Sequence, residues 1–180
     1  HLRSLGVDGN YAPVLDLPVP GADPIIGDRA FGSSAEGISA LAERAMAGLH
    51  AGGVLSCIKH MPGHGRADTD SHLALPRVAA GLNELGQDFA PFRALARAPM
   101  AMTAHVVYAA IDPDLPATWS RKVINLIRND IGFGGLLASD DLDMKALTGP
   151  LHQRAERAIA AGCDLVLHCT GVVAEMAEVT

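Results

Sequence analysis

Five short apolar runs alternate with stretches of helical spacing along this chain, and that alternation limits its fold more than any other feature. The runs lie near residues 11, 54, 101, 136 and 164. Between the first two, Ser34 reads as an N-cap for a helix in which Ile38, Leu41, Ala42, Ala45, Met46 and Leu49 repeat at helical spacing, with Gly52 and Gly53 ending it. Ser120 caps a second helix with Val123, Ile124 and Ile127 turned inward, and residues 151–161 and 172–179 are helical as well. Residues 83–97 read either as one helix or as two pieces broken at Pro91. Strand, helix, strand in regular order implies right-handed βαβ units around a parallel sheet.

The ends of the strands decide between the two common parallel architectures. Four of the five runs close on polar residues: Asp16 after Asn10 to Leu17, Lys59 and His60 after Val54, His105 in Met100 to Val107, and Asp140 with Asp141. A (β/α) barrel builds its site from loops at those carboxyl ends. A dinucleotide-binding doubly wound sheet would show a G-x-G-x-x-G turn after a strand, and this sequence has none. A full barrel takes about 250 residues, so five βα units in 180 residues predict an α/β, TIM-type barrel that is partial. The 49% apolar and 4% aromatic composition suits close helices on a buried sheet.

Charge and cysteine content narrow the partners. A net charge of -6 offers nothing to a polyanion, and no apolar run is long enough to span a bilayer, so neither nucleic acid nor membrane is an expected partner. Cys57, Cys163 and Cys169 lie within or beside apolar runs without metal spacing, and are expected to be reduced core thiols. His1 to Gly6 reads as a last helical turn with its glycine cap, and the chain is expected to start inside a domain.

The chemistry is concentrated in Ile58 to Pro76, IKHMPGHGRADTDSHLALP. No core requires three His, two Asp, a Lys and an Arg in a turn-rich loop beyond a strand. His60, His64, Asp68, Asp70 and His72 are all competent metal donors, which leaves open a metal-dependent hydrolase built on His60, His64 and His72. Asp16 and His105 are candidates for the same pocket or for structural hydrogen bonds, and Trp119 reads as packing.

Lys59-His60-Met61-Pro62-Gly63-His64-Gly65 followed by Asp70-Ser71-His72 resembles the K-H-F-P-G-H-G…D-S-H signature of glycoside hydrolase family 3 β-N-acetylglucosaminidases of the NagZ type. Ala12-Pro13-Val14-Leu15-Asp16, Ile26-Gly27-Asp28-Arg29, Ser139-Asp140-Asp141-Leu142-Asp143-Met144 and Ala161-Gly162-Cys163-Asp164 resemble further family segments, in the same order. The resemblance implies one family 3 N-terminal-type catalytic domain over residues 1–180 that lacks its first strands, since the family's D-x-E-G-G segment has no counterpart. It also implies a retaining glycosidase that releases terminal β-linked N-acetylglucosamine from anhydro-muropeptide fragments during cytoplasmic cell-wall recycling, without a cofactor. Asp140 would be the nucleophile, His72 the acid/base and Asp70 its partner, while Arg29, Lys59 and His60 would bind sugar hydroxyls. Asp141 is expected to be structural. A sugar-binding barrel without catalysis is the remaining alternative.

Overall fold

The computed structural model describes residues 1–179 and shows a curled, parallel, five-stranded half-barrel with helices on its outer face. In chain order the elements are β1 (Gly9–Asn10), α1 (Ala35–Ala51), β2 (Leu55–Met61), β3 (Arg77–Val78), α2 (Leu82–Ala94), β4 (Met100–Thr103), β5 (Val107–Tyr108), α3 (Arg121–Asn129), β6 (Leu136–Asp141), α4 (Leu151–Ala161), β7 (Leu165–Leu167) and α5 (Val173–Val179). The main sheet runs β1-β2-β4-β6-β7, every neighbour parallel, while β3 and β5 form a separate two-stranded parallel ribbon. Among the described residues no helix is long and apolar enough to cross a membrane.

Strand periodicity sorts the side chains into two faces. Ile58, Ala101 and Leu137 meet Ile38 and Ala42 of α1, Phe89 and Phe92 of α2, Ile124 and Ile127 of α3 and Ala158 of α4 in one continuous core. The alternate positions turn away from the helices, which puts Lys59 in line with Cys57 and Asp140 in line with Ala138 on the concave side. One face therefore makes the core, and the other carries the charged ends of the strands.

The helix readings hold with few changes. Ser34 accepts a hydrogen bond from the Gly37 amide and Ser120 from that of Val123, as N-caps should. Of the apolar residues repeating along α1, Leu41 is exposed, because the core touches a stripe of Ile38, Ala42 and Met46. Pro91 does not break α2, which runs unbroken past it to Ala94. Losing one helical bond costs about 3 kcal/mol. Leu85, Phe89 and Phe92 are all at most 2% exposed, and each contributes about 1.5–3 kcal/mol on burial, so packing outweighs the break.

Two expected strands are interrupted. Asn10 to Leu17 pairs with β2 as β1 and again as a single bridge, Val14 to Lys59, because Pro13 has no amide to donate to the ladder. Backbone bonds from Cys57 to Ala12, Lys59 to Pro13 and Leu15 to Lys59 keep it in place (3.1, 3.2 and 2.7 Å). Met100 to Val107 leaves the sheet after Thr103, and its last residue, Val107, joins Tyr108 in β5 beside β3. Thr118 draws this corner out of the ladder, bonding Thr103 Oγ1, the Ala104 carbonyl and His105 Nδ1 at 2.8, 3.2 and 2.7 Å. Cys57 and Cys163 are buried as expected, but Cys169 is exposed: it lies past the end of β7, where its amide bonds Asp141 Oδ1.

Candidate active site

At the carboxyl ends of the strands, Ile25, Ile26, Arg29, Lys59, His60, His64, Ser71, His72 and Asp140 line a cleft of about 140 Å³. These residues come from the loop after the first strand, from β2, from the loop following it and from β6. Five of the six residues singled out in the sequence thus share one cavity, and the sixth, Asp70, stands directly behind His72.

Each group is held differently. Asp140 ends the concave row of β6, and its Oδ1 accepts the amide of Asp141 at 2.8 Å. Asp141 faces the other way and is structural: its Oδ1 accepts the amides of Asp143 and Cys169, both at 3.1 Å, which ties β6 to the end of β7. Lys59 is half-buried beside Arg29 and Asp140. Burial first, then the Arg29 charge, lowers the Lys59 pKa, and Asp140 opposes the shift. Arg29 bonds its own loop at the Ile25 carbonyl, so among the described residues neither Arg29 nor Lys59 is spent in an ion pair.

Asp70 and His72 meet across one serine. Asp70 Oδ1 accepts both the His72 amide and Nδ1, each at 2.8 Å, so a single oxygen makes the turn and orients the ring. Burial raises the Asp70 pKa, but the His72 hydrogen bonds outweigh it and hold the carboxyl below its ordinary range. Nε2 of His72 has no partner among the described residues and lies on the side away from Asp70. Ser71 steadies this turn through its carbonyl, which accepts the Ala146 amide at 3.2 Å, and through Oγ, which pairs with His64 Nε2 at 3.2 Å.

Beneath the cleft lies Asp16, which the sequence left between a place in the pocket and a structural hydrogen bond. Asp16 is fully buried and bonds the His60 amide (3.1 Å), His60 Nδ1 (2.6 Å) and the His64 amide (2.7 Å). Burial raises its pKa, but His60 and then His64 overcome that, leaving it lowered. The rings of His60 and His64 stand edge to face with centroids 5.7 Å apart. His64 Nδ1 is buried without a partner among the described residues, and burial lowers the pKa of this ring. His105 is not part of the cleft: fully buried, it bonds Thr118 and the Asp141 carbonyl. Trp119 packs, with the Arg157 guanidinium 3.6 Å above its ring.

The His60, His64 and His72 trio does not converge as a metal site requires. His60 Nδ1 faces Asp16, His64 Nε2 faces Ser71 and His72 Nδ1 faces Asp70. Among the described residues no three His, Cys, Asp or Glu side chains are arranged to hold an ion. Sequence reading missed Ser71, Ile25 and Ile26 as lining residues, although Ser71 lies inside the Asp-Ser-His motif.

The chain matches the Glycosyl hydrolase family 3 N terminal domain along residues 1–180. A β-hexosaminidase of Alkalilimnicola ehrlichii is 49% identical to it over 175 residues, covering 94% of this chain and 50% of that protein. One from Neisseria meningitidis serogroup C is 44% identical over 175 residues, covering 94% and 48%. The crystal structure of NagZ from Neisseria gonorrhoeae in complex with N-trifluoroacetyl-D-glucosamine superposes with a TM-score of 0.87 at 41% identity, over 98% of this chain and 51% of that one. The chain thus spans about half the length of the curated relatives it matches. On the full-length profile match, together with a half-barrel whose charged strand ends converge on one cleft, this chain belongs to glycosyl hydrolase family 3.

Proposed function

We propose that this chain carries the site of a retaining β-N-acetylglucosaminidase. The observation that bears most weight is the cleft, where Asp140, Lys59, Arg29 and a His72 backed by Asp70 surround a space of about 140 Å³. Retention requires a nucleophile and an acid/base on either side of the anomeric carbon. Asp140 attacks that carbon as the glycosidic C–O bond breaks, and protonated His72 delivers its proton to the departing oxygen. Water then displaces Asp140 from the sugar while His72 takes the water's proton. Asp70 holds the ring through Nδ1, leaving Nε2 for the transfer. Arg29, Lys59 and His60 bind the hydroxyls of the terminal sugar.

The gonococcal NagZ with N-trifluoroacetyl-D-glucosamine bound supports N-acetylglucosamine as the sugar recognised. The NagZ-type signature supports anhydro-muropeptide fragments as substrate, cell-wall recycling as the setting and the cytoplasm as the place. The test is an intact mass spectrum after exposure to a slow fluorinated β-N-acetylglucosaminide with a good leaving group. One added sugar mapped to Asp140 is the expected result, and an adduct at another residue would overturn the assignment. Faster release from N-acetylglucosaminyl-anhydro-N-acetylmuramic acid than from chitobiose is expected, and the reverse order would overturn the muropeptide reading.

A further inference from the structure

We infer that Asp16 is a positioning residue that fixes the tautomer of His60, so that the ring presents Nε2 to the cleft as a hydrogen-bond acceptor. The sugar half of this inference rests on the function proposed above, whereas the tautomer half does not.

The geometry divides the work of the carboxylate between its two oxygens. Oδ1 accepts the backbone amides of His60 and His64, at 3.1 and 2.7 Å. Among the described residues Oδ2 meets one partner, His60 Nδ1, at 2.6 Å. An ionised carboxylate can only accept, so Nδ1 must be the donor in that pair. In the neutral ring, the proton is then on Nδ1 and the lone pair on Nε2. His60 is 5% exposed, with Nδ1 committed below and the ring lining the cleft. Among the described residues Nε2 has no protein partner. A sugar hydroxyl is a donor that such a nitrogen can accept, whereas Lys59 and Arg29 on the same cleft can only donate. The subsite therefore reads both lone pairs and protons of neighbouring hydroxyls, which cations alone cannot do.

Asp16→Asn tests this without emptying the space. Its amide oxygen can still accept the two backbone amides, so the loop anchors survive. The amide nitrogen takes the place of Oδ2 and donates to His60 Nδ1, which forces the proton to Nε2 and reverses what the cleft sees. A similar change of buried carboxylate to amide behind a catalytic histidine elsewhere selects the wrong tautomer.

Long-range proton–nitrogen NMR of the histidine-labelled chain, with His60 assigned by comparison with His60→Gln, reads the tautomer directly. The expected result is Nδ1–H in the unaltered protein and Nε2–H in D16N, with a native circular dichroism spectrum. An Nε2–H ring in the unaltered chain, or an unchanged tautomer in folded D16N, would overturn the inference. If D16N fails to fold, the spectrum of the unaltered chain alone still decides it. With an aryl β-N-acetylglucosaminide, D16N should lower kcat/KM about tenfold, the worth of one hydrogen bond to a hydroxyl, and cause no further loss in a His60→Ala background. An equal loss in both backgrounds would make Asp16 merely structural. A chain that shows the expected tautomers but never cleaves the glycoside would overturn the sugar half and the glycosidase reading together, leaving the control of His60 by Asp16 established.

Discussion

Alanine at Gly65 should damage this protein, while the same substitution at Gly48 should strengthen it. A Cβ on Gly65 would lie 1.9 Å from the Leu17 carbonyl oxygen, 2.4 Å from its carbon and 3.0 Å from the Pro18 nitrogen. All three are backbone atoms, so no rotamer relieves the clash, and the two segments must part by more than 1 Å to reach the 3.4 Å of ordinary contact. Parting them also breaks the 3.3 Å bond from the Val19 amide to the Gly65 carbonyl. Overpacking costs about 1–3 kcal/mol and one lost hydrogen bond about 0.5–1.5 kcal/mol, for a total on the order of 2–4 kcal/mol. At about 2–4 °C per kcal/mol for a domain of this size, Tm should fall by roughly 4–16 °C. Gly48 sits inside α1, and a Cβ added there would meet nothing within 4 Å, so alanine should add about 0.5–1 kcal/mol and raise Tm. Thermal unfolding followed by circular dichroism measures both. A Gly65→Ala protein melting within about 1 °C of the original would refute the steric reasoning.

Other outcomes follow from individual contacts. His72→Ala should slow glycosides with poor leaving groups far more than activated aryl ones, and equal slowing measured by kcat/KM would remove His72 as the acid. Burial depresses the His64 and His105 pKa values below the ordinary 6.5, so the unfolded chain binds more protons than the folded one below that pH. Their contribution to stability is therefore complete above 6.5 and declines on acidification; urea unfolding at pH 7 and 5 should show the loss, smaller in a folded His105→Gln variant. Arg66→Ala leaves Asp88, 2% exposed, without its 2.5 Å partner and should cost about 3–5 kcal/mol by urea unfolding. Dialysis against a chelator should leave hydrolysis unchanged, because among the described residues no three His, Cys, Asp or Glu side chains are arranged to hold an ion.

Local chemistry was readable wherever one short segment held all the parts. Ser34 and Ser120 cap helices whose inward residues follow at helical spacing, and the Asp70–His72 pair closes within a three-residue turn. Both depend on contacts between residues a few positions apart, which spacing encodes. The broken strands were not readable, since β4 ends where it does because of Thr118, fifteen residues further on. The continuity of α2 through Pro91 was equally hidden, being decided by what Phe89 and Phe92 bury against.

The sequence by itself determined the alternation of strands and helices, the parallel half-barrel and the positions of Asp140, Lys59 and His72 at strand ends and loops, because period and turn chemistry are properties of neighbouring residues. Only the tertiary structure decided that Arg29, Lys59, His60, His72 and Asp140 share a single cleft. It also decided that Asp16, at the end of an ordinary apolar run, lies beneath that cleft and holds both His60 and His64 across more than forty residues of chain. Such a contact exists because parallel pairing, carried on by the Val14–Lys59 bridge, sets the ends of the first two strands side by side, and no periodicity along a single chain records that approach.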